Sequence, residues 1–413
     1  MNDQMKRFGG DLSTMWRFDI LPPIKRLSWW WWWFILVLPD SKHPERSRQL
    51  MVLWSTKETP SIRVNNHWWK PGARMAIDEH DGHVLPGMVC AWWYDGDVMH
   101  EPARMTECRI AALTDTHPDW PGKGMGIGGG AVVPLTSDDL SFGMLPDLSK
   151  MWLSFKPDHE SNPDLPKSFE AELTPWWERP SSATYANNVY AMGMGYDILR
   201  IHAMKAKVLI DGEAVEGSAY FQKVTVQAPS VPWFWGFLHF DDGTYLDWFL
   251  PHISGSMSKK DSAPWSKRDS IRWPSNARGL MHDRSRGTTE KLEQGSIELI
   301  RPDEPNALRD SDGSVLPRFR IRLHNDKVNV ELQVRATSRA HWTFDQPTRA
   351  GLTSHLTYNE YPLEVEHILL SDEAGDRNIS DFKWIRGCSL IHISEPTRPR
   401  LISYAVFCLK KKR

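Results

Sequence analysis

The chain has 413 residues, with 50 basic and 52 acidic side chains and a formal net charge of −2. Its length suffices for two domains with a core each, and the balanced charge excludes a footprint for nucleic acid or a general attraction to anionic lipid. One number is unusual: 22 tryptophans against 9 tyrosines and 15 phenylalanines. Tryptophan is bulky, rigid and amphipathic and lines cavities more readily than it fills small cores, so an aromatic-walled site for an apolar molecule is expected.

Residues 1–26 read as a lead-in. The apolar run Trp29 to Leu38 that follows is far short of the roughly 20 residues a membrane helix needs. Lys25 and Arg26 precede it as in a signal peptide, but tryptophans fill it and no small-residue cleavage site follows. Cys90, Cys108, Cys388 and Cys408 form neither a CxxC pair nor a disulfide framework, which fits a reducing compartment. The expectation is a cytoplasmic protein that can touch a membrane peripherally to collect its ligand.

Leu50–Trp54 and Val89–Tyr94 read as strands. The glycine-rich stretch Gly122–Gly130 lacks both a P-loop ending and dinucleotide spacing, and reads as a flexible loop or lid. Val208–Val215 and Trp233–Leu250 are hairpins around Asp211-Gly212 and Asp242-Gly243, pairs that supply the positive φ of a tight turn. Two prolines between Gln227 and Pro232 break the pattern, dividing the chain into domains 27–228 and 229–387. Trp32–Leu36 running into Pro39-Asp40 is echoed by Phe234–Leu238 running into Asp241-Asp242, a faint internal repeat. Residues 254–291 are polar and locally basic and read as a long solvated loop. Phe319–Leu323, Val328–Val334 and Leu363–Leu369 are further strands. Scarce helical periodicity and 29 prolines complete an all-β reading: two antiparallel barrels or sandwiches packed side by side. From Ile393 onward the sequence resembles a translated sequencing adapter. Residues 388–413 are therefore read as a non-native tail, with the second domain ending near Gly387 without its closing strand, an exposed edge.

A two-residue turn at Asp242-Gly243 would place Trp233, Trp235, Phe237, His239, Leu246, Trp248 and Leu250 on one face. Phe234, Leu238, Phe240, Tyr245, Asp247 and Phe249 would take the other. His239 is then a single polar group on a tryptophan-rich face, Asp247 is similarly isolated opposite, and Tyr220 and Gln222 share a face of their own strand. Such groups are either satisfied core residues or site residues. The candidate catalytic set is Tyr220, His239 and Asp247; the ligand-binding set is Gln222, Trp32, Trp233, Trp235, Phe237 and Trp248. His80 and His83 flank the Asp81-Gly82 turn, but no third ligand is evident, so no metal and no cofactor are expected. Neither a Gly-x-Ser-x-Gly elbow nor an HExxH helix is present.

Val215-Glu216-Gly217-Ser218-Ala219-Tyr220-Phe221-Gln222, then Val231-Pro232-Trp233-Phe234-Trp235 and Asp241-Asp242-Gly243, resembles the carotenoid 1,2-hydratase (hydroxyneurosporene synthase) family. That family pairs a Gly-x-Gly-Tyr-x-Asp strand with a Trp-x-Trp strand and an Asp-Gly turn. Trp31-Trp32-Trp33-Phe34 is similar to its Trp-Trp-Tyr opening. Related two-domain lipocalin-like proteins include Diels–Alderases and tocopherol cyclases. The resemblance, spanning Leu27 to Trp384, implies two lipocalin-like (calycin) barrels with an apolar cavity at or near their interface, holding an isoprenoid, polyene or polyketide-like ligand. In the hydratases an acid protonates an alkene and water captures the cation. Here Gln222 stands at the family's aspartate and Ala219 at its second glycine, and a glutamine cannot supply that proton. An acid-assisted hydratase/lyase or cyclase would recruit Tyr220, His239 or Asp247 instead. A Diels–Alderase-like pericyclase would need mainly a preorganised cavity. A non-catalytic carrier of a hydrophobic small molecule would use Gln222 as a neutral hydrogen-bonding group. No obligate protein partner is expected.

Overall fold

The computed structural model describes residues 15, 28–70, 76–77, 80, 82–113, 117–118, 130–134, 140–144, 151–175, 183–189, 194–227, 233–251, 278–300, 307–311, 313–347, 353–382 and 385–394. Among these, 25 strands form two antiparallel sheets of 12 and 13 strands. No helix among them is long and apolar enough to cross a membrane. The glycine-rich stretch 122–129, Trp176-Trp177, the polar stretch 254–277 and the chain beyond Ser394 lie outside the described residues.

In the first sheet, Ser28–Pro39 lies between Ser47–Lys57 and Glu213–Gln227. Glu213–Gln227 forms a hairpin with Gly195–Ile210 through Asp211-Gly212, both at positive φ, as a two-residue turn requires. Phe169–Pro175 pairs with the far half of Gly195–Ile210, Phe169 opposite Ile210 and Pro175 opposite Met204. That pairing closes a ring of ten strands into a barrel, with Ala183–Val189 pairing Gly195–Ile210 outside the ring. Its interior is filled by Trp32, Phe34, Trp54, Phe142, Phe221 and their neighbours.

The second sheet is built on Trp233–Phe240, Tyr245–Pro251, Ile385–Ser394 and the 20-residue strand Thr353–Asp372. It curls until residues from its opposite ends, Leu292 and Ile297, share one core with Trp248, Phe319 and Leu390. Three expectations are corrected. The span 254–291 is not all loop: Arg278–Asp283 and Thr288–Leu292 form a hairpin whose turn ends on Gly287 at φ +64°, with Met281 and Leu292 turned inward. The sheet runs past Gly387, because Ile385–Ser394 pairs with both Trp233–Phe240 and Thr353–Asp372 and buries Cys388, Leu390 and Ile391. Ile62–Val64 and His67–Trp69, from the first half of the chain, join this sheet through Ala340–Pro347.

Between the barrels lies a third apolar layer, the seam, made by Trp29, Trp33, Ile35 and Tyr220 from one side and Trp235, Phe237, Trp342 and Ile391 from the other. Ser28–Pro39 explains its own composition here. A strand turns alternate residues to opposite faces, so one with a core on each side must be apolar throughout. Trp30, Trp32, Phe34 and Leu36 enter the first barrel, while Trp29, Trp33, Ile35 and Val37 enter the seam. Cys90, Cys108 and Cys388 are free and buried.

Candidate functional site

Two local irregularities build the polar centre of the seam. The first is a β-bulge in Gly195–Ile210. Ile201 pairs with Phe221 and Met204 with Ala219, leaving His202 and Ala203 together opposite Tyr220. Bulges re-aim side chains; here Ile201 and Met204 both enter the first barrel, and His202 turns to the seam. The second is the turn after Phe240. The Phe240 N–H donates to the Thr244 carbonyl (2.9 Å) and Gly243 takes φ +91°, giving a three-residue loop rather than the two-residue one expected. The register shifts by one, pairing His239 with Tyr245 and Phe237 with Asp247. A one-residue slip exchanges the faces of a strand. His239 and Asp247, expected on opposite faces, therefore share the seam face, and Trp248 moves into the second barrel, filling the space above Gly236.

The expected ligand-binding residues accordingly divide among three places. Trp32 is inside the first barrel, its Nε1–H donating to the Met15 carbonyl (2.8 Å), and Trp248 is inside the second. Trp235, Phe237 and the half-buried Trp233 belong to the seam. Gln222, also half-buried, pairs with Trp33 and Arg200 in neighbouring strands.

At the seam, His202 Nδ1 lies 2.9 Å from Asp247 Oδ2. The His202 ring stacks on Tyr245 (5.4 Å, 2°), which stacks in turn on His282 (5.5 Å, 22°). Tyr220 is fully buried, stacked on Phe237 (5.3 Å) and in contact with Trp235 (4.7 Å) and Trp33 (5.7 Å). Arg200 approaches the hydroxyl but can only donate to it, so the Tyr220 hydroxyl proton finds no acceptor among the described residues, nor do the Nε1–H groups of Trp235 and Trp342 in the same layer. Burial pushes the Tyr220 phenol well above its ordinary range; Arg200 opposes this by its charge and by its hydrogen bond to the phenol oxygen, and the charge of Asp247 adds to it. Tyr245 is raised by burial and then by Asp247. Burial lowers His282 to about 4, so it is neutral at pH 7.

His239 has a different disposition. Its Nε2 lies 2.8 Å from the His202 carbonyl, which only accepts, so Nε2 carries the proton; Nδ1 lies 2.9 Å from Ser218 Oγ. Both ring nitrogens are engaged across the seam, tying the second barrel to the bulge of the first. His202 and Arg200 were missed by sequence reasoning: the bulge puts His202 on a face that strict alternation denies it, and Arg200 carried no motif. Elsewhere, His80 lies against His117 (5.5 Å), and among the described residues no three His, Cys, Asp or Glu side chains group as a metal site would require.

Fold and site together define an all-β protein of two curled antiparallel sheets with a polar centre in an aromatic seam. No family model and no curated protein matches the sequence. Among solved structures, the chain is similar to an AttH-type protein from Nitrosomonas europaea, with 13% identity and a TM-score of 0.46 over 88% of this chain and 92% of that one. It is similar to CghA, with 9% identity and a TM-score of 0.47 over 92% and 93% of the two chains. It is also similar to kievitone hydratase from Nectria haematococca, with 9% identity and a TM-score of 0.39 over 89% of each.

Proposed function

We propose that the chain binds an apolar, oxygen-bearing isoprenoid or polyene in the seam between its two barrels and acts on it as a hydratase or cyclase. The observation that carries this reading is the pair of buried donors without acceptors, Tyr220 Oη and Trp235 Nε1, on rings 4.7 Å apart across the seam. Buried donors left unpaired cost about 1–3 kcal/mol each, and a ligand oxygen between them would remove that cost. Trp33, Phe237 and Trp235 supply apolar walls, while Arg200, Gln222 and Trp233 form a partly exposed rim. In this reading the close pair of His202 and Asp247, 2.9 Å apart, handles charge developing beside the bound oxygen, and Tyr220 donates to it. His239 positions the bulge without touching ligand. The reading agrees with the resemblance to the carotenoid 1,2-hydratases.

A second reading, a carrier or a shape-guided pericyclase, is favoured by Gln222, which brings no acid to the rim. The two readings share the site and differ in whether the ligand leaves changed. Native mass spectrometry on protein from a host that makes carotenoids and quinones tests the site itself. One apolar adduct per chain is expected, and Tyr220→Phe should weaken its retention about five- to tenfold, the worth of one buried hydrogen bond. Folded protein without any adduct would overturn both readings.

A further inference from the structure

The seam holds a second polar centre away from Tyr220. In the second sheet, Trp235 pairs with Ile391, Ile391 with Glu360, and Glu360 with Ala340, forming one cross-strand row on the seam face. The first barrel presents a matching row: Tyr220, Ile35, Met51 and Trp92. The two rows face each other. At one end Tyr220 meets Trp235; at the other, Trp92 Nε1 donates to Glu360 Oε2. Ile35, Met51 and Ile391 lie between. Tyr220 and Trp92 are three strand spacings apart, about 14 Å, so an apolar strip of that length is bounded by unpaired donors at one end and a carboxyl group at the other.

Glu360 is 3% exposed, and Trp92 is its side-chain partner. Glu101, from the first barrel, approaches the same end, its Oε2 accepting from the His341 backbone N–H (2.6 Å). Burial pushes Glu360 up to about 8, against which the Trp92 bond acts; burial and then the charge of Glu360 bring Glu101 to about 8, with Arg339 opposing. At neutral pH Glu360 is therefore a carboxylic acid in apolar surroundings, a condition in which a carboxyl group serves as a proton donor.

We propose that Glu360 is the general acid of the seam, delivering a proton to a carbon–carbon double bond of a polyene whose oxygen is held by Tyr220 and Trp235. This rests on the reading that the seam binds such a ligand. The proton passes from the Glu360 carboxyl group to one alkene carbon; the π pair forms the new C–H bond, leaving a cation on the adjacent carbon and a carboxylate on Glu360. Water adds to the cation through a lone pair and returns a proton to that carboxylate, giving an alcohol and regenerating the acid. Trp92 Nε1–H stabilises the carboxylate in between. The acid absent at Gln222 is thus supplied by the opposite barrel.

The test compares the full chain with Glu360→Gln, a neutral isostere that can still accept from Trp92. Binding of cis-parinaric acid, a polyene that carries oxygen at one end, is followed by fluorescence, the protonated Glu360 carboxyl band by infrared difference spectroscopy, and hydration of the same bound polyene by mass. The variant should keep the wild-type circular dichroism and bind the probe within about twofold, yet lack the carboxyl band that probe binding shifts in wild type. Its hydration rate should fall about 100-fold or more. A bound probe with an unmoved band, hydration by the variant at the wild-type rate, or no wild-type hydration despite probe binding would each overturn the role of Glu360 and leave seam binding standing. Failure of the probe to bind wild type would overturn the seam reading, and this proposal with it.

Discussion

Replacing His239 with alanine removes a ring that is 0% exposed and bonded at both nitrogens. Two hydrogen bonds of about 1 kcal/mol each are lost. The His202 carbonyl and Ser218 hydroxyl lose a partner, and the imidazole leaves a cavity beside Phe237, whose ring lies 4.6 Å away. These contributions overlap, and together they amount to about 4 kcal/mol, at the large end for a point substitution. His239→Gln, whose amide can still donate toward the His202 carbonyl, should recover about half. The assay is urea unfolding followed by tryptophan fluorescence, with the midpoint shifted and the slope unchanged. Because His239 anchors the bulge that carries His202, ligand affinity should fall in parallel with stability. A loss below about 1 kcal/mol in His239→Ala would refute the argument that this residue clasps the two barrels.

The two acids at the far end of the seam set a pH dependence with a definite sign. Glu101 and Glu360 hold their protons up to about 8 when folded, against an ordinary 4.5. Below pH 4.5 folded and unfolded chains are both protonated; between about 4.5 and 8 only the unfolded chain sheds these protons, so stability declines through that window and levels off above it. For Glu360 alone the shift corresponds to on the order of 5 kcal/mol. Glu360→Gln should therefore gain stability relative to wild type at pH 9 and not at pH 4.5, checked by denaturation at both; equal curves would show that the carboxyl group is hydrated. The division of the tryptophans gives another contrast. Trp235→Phe should weaken cis-parinaric acid binding about fivefold, whereas Trp32→Phe, inside the first barrel, should leave affinity unchanged and cost about 1–2 kcal/mol in unfolding measurements. The reverse pattern would move the ligand into the barrel.

Much of this architecture is legible in the sequence because strands announce themselves by composition. The five consecutive tryptophans Trp29–Trp33 mark a strand buried on both faces, and Asp211-Gly212 marks the hairpin turn between Gly195–Ile210 and Glu213–Gln227. The positions of the strands are therefore readable, but their facing is less so. Asp241-Asp242-Gly243 is compatible with loops of two or three residues, and the difference of one residue decides whether Asp247 meets His239 or faces away. His202 is harder still, since a bulge inserts a residue into the alternation with no glycine to signal it. Glu360 lies inside a long strand between Asn359 and Tyr361, where nothing local separates a buried acid from a surface one. Its burial comes from Trp92, 268 positions away.

The strands Ile62–Val64 and His67–Trp69 lend part of the first half of the chain to the second sheet. Asn65 reinforces the loan: its side-chain oxygen accepts from the Thr343 backbone N–H (2.7 Å), and its own N–H donates to the Thr343 carbonyl (2.9 Å). The two barrels are therefore not modular in the way a chain with a single crossover near residue 230 would be. Expressed apart, the second half would expose the Ala340–Pro347 edge as a template for other strands, and the first half would carry a dangling hairpin with Trp69, buried in the whole chain, in water. Expressed together, the halves have a ready means of recognising each other. The protein is thus suited to reconstitution from fragments and poorly suited to domain swapping with its relatives.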